Sequence, residues 1–208
     1  MLKVGSYNNF RVIKATSRGW HIEAEGEQLF VPKRELPPGT IVGHKVKLFV
    51  FNKGKGEIRA TSAVPYASVN QFAYLKVKDV TSFGMFMDWG IDKDLFVPNR
   101  FIKEKPDAGT SHIVRLFLDE QDRSVIGSCL LDDFLQDKPG KELKRNQQAR
   151  LLICGIKDIG FRVIINDKYR GLLYRDEKAD SIRYGDKKQG YIKKIRRDGL
   201  IDVSLARE

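Results

Sequence analysis

"VTSFGMFMDWG", residues 80–90, decides how this chain folds. After Gly84 the side chains alternate. Met85, Met87 and Trp89 fall on one face of a strand, Phe86 and Asp88 on the other, because successive strand residues point to opposite sides. A face that carries an unpaired carboxylate is a poor core face. Met85, Met87 and Trp89 are therefore expected inside and Phe86 outside. Gly84, at the entry to the strand, reads as a bulge or a sharp corner.

The pattern occurs twice more, in "ATSRGWHIEAEGEQLFVPKREL" (15–36) and "IKDIGFRVIINDKYRGLLYRDE" (156–177). Each copy has a Gly (Gly19, Gly84, Gly160), an alternating stretch, a turn and a short apolar run. The runs are Leu29-Phe30-Val31, Leu95-Phe96-Val97 and Leu172-Leu173-Tyr174. Each copy then ends in a strand with a hydroxyl: "IRATS", "VIGSC" and "IDVSL". From Gly to hydroxyl is 42 residues (Gly19 to Thr61), 44 (Gly84 to Ser128) and 44 (Gly160 to Ser204). Several landmarks in step at this spacing mark an internal repeat. The copies span 1–64, 67–136 and 144–208, joined by Pro-containing connections at 61–70 and 136–148, the second expected to carry a short helix. Short strands with regular turn signals make the fold all-β. Three tandem five-stranded barrels of the oligonucleotide-binding (OB-fold) type fit the size of each copy.

Applied to the other copies, the same register puts Trp20, Ile22 and Ala24 inside with His21 and Glu23 outside. It puts Phe161, Val163 and Ile165 inside with Arg162 and Ile164 outside. The outward residue after the Gly is thus His21, Phe86 or Arg162. All three are flat groups on which a nucleic-acid base can stack. The residue before the Gly is Arg18, Phe83 or Ile159, and only the middle copy has the aromatic. Third-strand candidates are Val31, Val97 and Tyr174, of which Tyr174 alone joins a stacking ring to a hydroxyl.

Charge agrees with a polyanionic ligand. The 208 residues carry 38 Lys and Arg against 27 Asp and Glu, a net charge of +11. Such a balance favours nucleic acid first and an acidic membrane second. The excess is uneven: 11 basic against 5 acidic residues in 1–64, 8 against 11 in 65–136, and 19 against 11 in 137–208. Neutralisation of phosphates supplies most non-specific affinity. The third copy is therefore expected to dominate binding, through Arg162, Arg170, Arg175, Lys193, Lys194, Arg196 and Arg197, with "YIKKIRR" in a fourth strand beside Tyr174.

Other chemistries find little support. His21, His44 and His112 have no metal-ligand spacing with either cysteine, so no metal and no cofactor are expected. Asp88, Asp92, Asp94 and Asp107 read as turn acids, and "KGKGE" (53–57) as a hairpin turn. There is no "GxxxxGK[ST]" loop and no Ser-His-Asp or Cys-His arrangement, so catalysis is not expected. No run of about 18 apolar residues suits a membrane span, and "MLKVGSYNNF" does not read as a signal peptide. Cys129 and Cys154 lie in apolar strand-like segments and read as buried thiols of a reducing compartment. The expected location is cytoplasmic.

The repeat resembles the S1 RNA-binding domain, and the middle copy most of all. Phe83 and Phe86 stand at that family's two aromatic positions; Asp119 and Arg123, in "LDEQDRSVIGS", stand at its Asp and Arg; Val97 stands where the family has His. Over nearly all 208 residues the layout, with "KDLFVP" and "LFLDEQDRSVIGS", resembles the conserved virulence factor B (YitL-like) family. That resemblance implies three S1-like domains in a bacterial regulator of gene expression, a virulence factor. It also implies a C-terminal winged helix; the chain stops at Glu208 after the third copy, so a truncated or shortened form is expected. The function expected is non-enzymatic, post-transcriptional binding of single-stranded RNA. The residues proposed to carry it are Phe83, Phe86, Asp119, Arg123, Arg162, Tyr174, Arg175, Lys193, Lys194, Arg196, Arg197, Arg18 and His21. mRNA or the ribosome is the expected partner, with no membrane and with the oligomeric state unset. The alternatives are a protein-interaction or ribosome-associated scaffold, a single-stranded DNA binder and, more weakly, a nuclease.

Overall fold

The computed structural model describes residues 1–136, 138–140, 142–175 and 181–207. Among these described residues, fifteen strands form three groups of five. The first holds β1 (Ser6–Ala15), β2 (Gly19–Ala24), β3 (Glu27–Pro32), β4 (Lys45–Asn52) and β5 (Ile58–Thr61). The second holds β6 (Phe72–Val80), β7 (Gly84–Asp88), β8 (Leu95–Pro98), β9 (Ser111–Leu118) and β10 (Val125–Ser128). The third holds β11 (Gln148–Lys157), β12 (Gly160–Ile165), β13 (Tyr169–Tyr174), β14 (Lys187–Ile195) and β15 (Ile201–Ser204).

In each group the first three strands form an antiparallel meander and the fourth returns to pair with the first. The fifth strand closes the second and third barrels by running parallel to the third strand, at Ile126↔Phe96 and from Gly171↔Ile201 to Leu173↔Val203. The first barrel is nearly closed. Its sheet runs β3-β2-β1-β4-β5, with β3 and β5 left as the two edges. The chain is thus all-β with three five-stranded barrels, as its repeat implies.

One steric device is common to all three copies. A Cβ at Gly19, Gly84 or Gly160 would lie 2.2 Å from the carbonyl oxygen of Val31, Val97 or Leu173 respectively. Only glycine lets the second strand come this close to the third at the barrel corner. The alternation that follows behaves as read. Met85 and Met87 are fully enclosed and Trp89 nearly so. Ile22, Phe161, Val163 and Ile165 are buried too, while Trp20 and Ala24 are only partly covered against the first core.

Two expectations need correction. No helix occurs among the described residues of 136–148, with 137 and 141 outside the description; the short helical turn instead precedes that stretch, at Leu131–Phe134. Ile164 does point out of its barrel, but it is 1% exposed and packs with Phe72, Ile113 and Leu152. Alternation tells which side of a strand a residue takes, and here the second barrel lies on the outer side.

That contact is part of a continuous joint. The Phe72 N–H donates to Asp167 Oδ1 (2.9 Å) and an Arg115 guanidinium N–H to the Asp167 carbonyl (3.0 Å). Tyr74 and Tyr184 meet edge to face at 5.6 Å. The first two barrels are joined more tightly still, since Leu2, Val4 and Val125 belong to one apolar cluster with the residues of both interiors. Phe49 and Trp89 meet edge to face across that seam at 5.7 Å.

Candidate nucleic-acid interface

The outer face of the second and third strands is built alike in the three barrels. Register pairs His21 with Phe30, Phe86 with Phe96, and Arg162 with Leu172. Directly opposed residues share a face of the sheet. His21 and Phe30 stand 5.5 Å apart at 64°, Phe86 and Phe96 5.0 Å apart at 32°. The first two barrels thus present two-ring platforms, with Phe30 48% exposed. The third presents a guanidinium beside a buried leucine.

Phe30 and Phe96 escaped the sequence reading, which took Val31 and Val97 as the third-strand candidates. Both valines are fully buried. The register also aligns Tyr174 with Pro32 and Pro98, because these three residues face Gly160, Gly19 and Gly84. Alignment on the apolar runs sets that strand one residue out of register, and a slip of one exchanges its two faces. Counting the alternation back from the position opposite each Gly would have found the two phenylalanines.

The proposed residues fall into separate places. Phe83 projects from the turn before β7 and is 78% exposed. Its N–H donates to Thr81 Oγ1 (3.2 Å) and its carbonyl accepts from Asn99 (3.0 Å), so the turn is fixed while the ring is open. Arg18 is exposed in the matching turn of the first barrel. Asp119 and Arg123 lie in the β9–β10 turn. Asp119 Oδ1 accepts the Gln121 N–H (2.9 Å), and an Arg123 guanidinium N–H donates to the Leu2 carbonyl (2.8 Å), tying the second barrel to the first. Arg162 reaches Asp132 Oδ1 at 3.3 Å in the joint between the second and third barrels, beside Arg170 at 3.2 Å.

In the third barrel Tyr174 and Arg196 come together. The guanidinium donates to the Tyr174 hydroxyl, and its carbon lies 6.0 Å from the ring centre. Arg196 Nε also donates to Asp202 Oδ2 (3.0 Å), and Nη2 is 2.7 Å from Oδ1 of that carboxylate. Asp202 is buried, and its hydrogen bond raises the Arg196 pKa. Arg175 lies over Phe161 at 5.5 Å. Lys193, Lys194 and Arg197 are exposed at the end of β14 and in the following turn.

The open seam of the first barrel adds a feature that the sequence did not announce. Between β3 and β5 lies a cleft of about 670 Å³. Phe30, Pro32, Phe51 and Ile58 supply its apolar wall, and Arg34, Lys53, Arg59 and Lys93 its positive charge. Its acids are Glu35, Glu57 and Asp92: Glu57 pairs with Arg59 at 2.5 Å and neutralises it, and Glu35 accepts the Ser62 N–H at 2.6 Å. Lys93 is partly covered and donates to the Asn52 carbonyl (2.6 Å); burial lowers its pKa. Lys53, read as part of a simple hairpin turn, stands in the wall of this cleft.

Among the described residues no group of three or more His, Cys, Asp and Glu side chains is placed to hold a metal ion. None of the described helices is long and apolar enough to cross a membrane.

A family model described as S1 domain matches residues 4–63 and 71–127, more than half of the chain and all of the strand region of the first two barrels except Ser128. The uncharacterized protein YitL of Bacillus subtilis (strain 168) is 24% identical over 217 residues, covering 98% of this chain and 70% of that protein. A crystal structure of a multidomain protein with nucleic acid binding domains from Streptococcus pneumoniae TIGR4 superposes with a TM-score of 0.54 at 22% identity, over 98% of this chain and 74% of the other. That likeness is one of fold.

Proposed function

Because the chain belongs to the S1 domain family, we propose that it binds single-stranded RNA in grooves on its barrels, without catalysis. The observation that carries this reading is the cleft of the first barrel, where Phe30 of the His21–Phe30 pair lines the wall together with Arg34, Lys53 and Lys93. Stacking rings and cations side by side are what an unpaired strand requires: a π-face for each base and positive charge along the backbone. One stacked base contributes about 1–3 kcal/mol.

The third barrel supplies a second contact. Asp202 holds Arg196 in place against Tyr174, so little side-chain freedom is lost when phosphate arrives. Arg175, Lys193, Lys194 and Arg197 add charge around it. Phe83 with the Phe86–Phe96 pair gives the acidic middle barrel a stacking role, and Arg18 adds charge from the turn before β2. Asp119, Arg123 and Arg162 act chiefly by fixing a turn and two joints. Several weak modules in one chain gain affinity through effective concentration when one strand spans them.

We infer further that this binding serves post-transcriptional control in the cytoplasm, with mRNA or ribosome-bound RNA as the target, a reading supported by the resemblance of the sequence to the conserved virulence factor B (YitL-like) family. The Streptococcus pneumoniae protein, described as having nucleic acid binding domains, is consistent with that reading. Fluorescence anisotropy of a labelled U12 RNA and a T12 DNA at low salt tests it. RNA is expected to bind at least as tightly as DNA, with no shortening of either probe on incubation with magnesium. DNA bound more tightly would shift the ligand, shortened probe would expose a nuclease, and no binding of either would leave an interaction scaffold.

A further inference from the structure

The second and third barrels enclose a cleft of about 390 Å³ that none of the grooves above includes. Its floor is apolar, made by Phe72, Leu152 and Ile164, the same residues that cement the joint. Its rim carries Tyr66, 57% exposed, together with Arg150, Lys187 and Lys188. The Tyr66 backbone N–H donates to the Trp89 carbonyl (2.9 Å), which fixes the residue on the second barrel. The cations stand on β11 and β14 of the third. The carboxylate in the lining, Asp167, accepts the Phe72 N–H and pairs with Arg150 at 3.3 Å, so these two charges balance each other, while Lys188 lies 3.7 Å from Asp186 at the rim.

We propose that this cleft is a nucleotide site, in which a base lies against Tyr66 over the apolar floor and its phosphate is taken by Lys187 and Lys188. The size falls within the range usual for small-ligand pockets. An apolar floor with an aromatic at one side suits a base, and two lysines at the other suit phosphate. Each wall comes from a different barrel, so an occupant would also hold the joint closed. A base carrying a phosphate has two sources, a free nucleotide or one unit of a longer strand, and the site is independent of the grooves proposed above.

Isothermal titration with ATP and with U12 RNA distinguishes these sources, using Tyr66→Ala, Lys188→Glu and, as a groove control, Phe30→Ala. All three side chains are exposed or half-buried, and thermal unfolding is expected to show each variant folded. For a free nucleotide, ATP binds the wild type, each cleft variant weakens it about tenfold, and Phe30→Ala leaves it unchanged. For a strand unit, ATP is not bound, but both cleft variants weaken U12 binding at least fivefold, independently of the loss caused by Phe30→Ala. Should U12 bind and lose affinity in Phe30→Ala alone, the cleft is not a nucleotide site while the groove reading stands. If neither probe binds the wild type, both are overturned.

Discussion

Ile164 sits on the outer side of β12, where an isolated barrel would leave it in water, yet it is 1% exposed. Replacement by alanine removes three carbons. At about 0.8 kcal/mol per buried methylene the transfer loss is roughly 2.4 kcal/mol. The space left between Phe72, Ile113 and Leu152 adds a cavity cost, giving about 3 kcal/mol in all, within the usual span for such truncations. Equilibrium urea unfolding followed by fluorescence measures it. The loss is expected in the transition that includes the third barrel. A double-mutant cycle with Phe72→Ala is expected to give a coupling of about 1 kcal/mol, since the two side chains share one cluster. An Ile164→Ala protein within about 0.5 kcal/mol of the wild type, the size of an ordinary surface change, together with no coupling, would refute docking of the barrels through this face.

Three further outcomes follow from named contacts. Gly84→Ala drives a Cβ to 2.2 Å from the Val97 carbonyl oxygen and is expected to destabilise by about 3 kcal/mol, read by calorimetry. Glu142 accepts hydrogen bonds from the Tyr169 hydroxyl and from Lys168, which pull its pKa down to about 2 from the ordinary 4.5. The depressed value means that this contact stabilises fully above the unfolded pKa and is lost as pH falls towards about 2. The difference in Tm between the wild type and Glu142→Gln is therefore expected to be constant at neutral pH and to shrink below about pH 5. Burial pushes the Cys129 and Cys154 thiols up to about 11. At pH 8 only about one in a thousand is thiolate, so alkylation of the native protein is expected to be slow and to rise about tenfold per pH unit up to pH 10. Rapid native labelling at pH 8 would contradict this burial.

The repeated glycines made the fold readable. Gly19, Gly84 and Gly160 are required by the same close approach, and the alternation after them placed Met85, Met87 and Ile22 in the interior. What the alternation could not supply was the surroundings. Ile164 and Arg162 were read as pointing out of the barrel, Arg162 towards a base, but the first is packed on the second barrel and the second reaches Asp132 there. Contacts between domains leave no periodic trace in sequence. The platform was half legible. His21 and Phe86 were found because each is two residues past a Gly. Phe30 and Phe96 were hidden inside apolar runs whose register only the strand pairing settles. The cleft beside Phe30 depends on β3 and β5 remaining edges, which is a property of the closed or unclosed barrel and of no single residue.

The most direct test of RNA binding is the affinity for U12 RNA across a salt series, for the wild type, Phe30→Ala, Arg34→Ala/Lys53→Ala and Arg196→Ala/Arg197→Ala. Single strands lose about 0.7 in the slope of log affinity against log salt for each phosphate contact removed. Each basic pair is therefore expected to lower the slope by about 1.4. Phe30→Ala is expected to weaken binding about tenfold at every salt concentration with the slope unchanged. Basic pairs that leave both affinity and slope as in the wild type, or a Phe30→Ala protein that binds as the wild type does, would contradict the account.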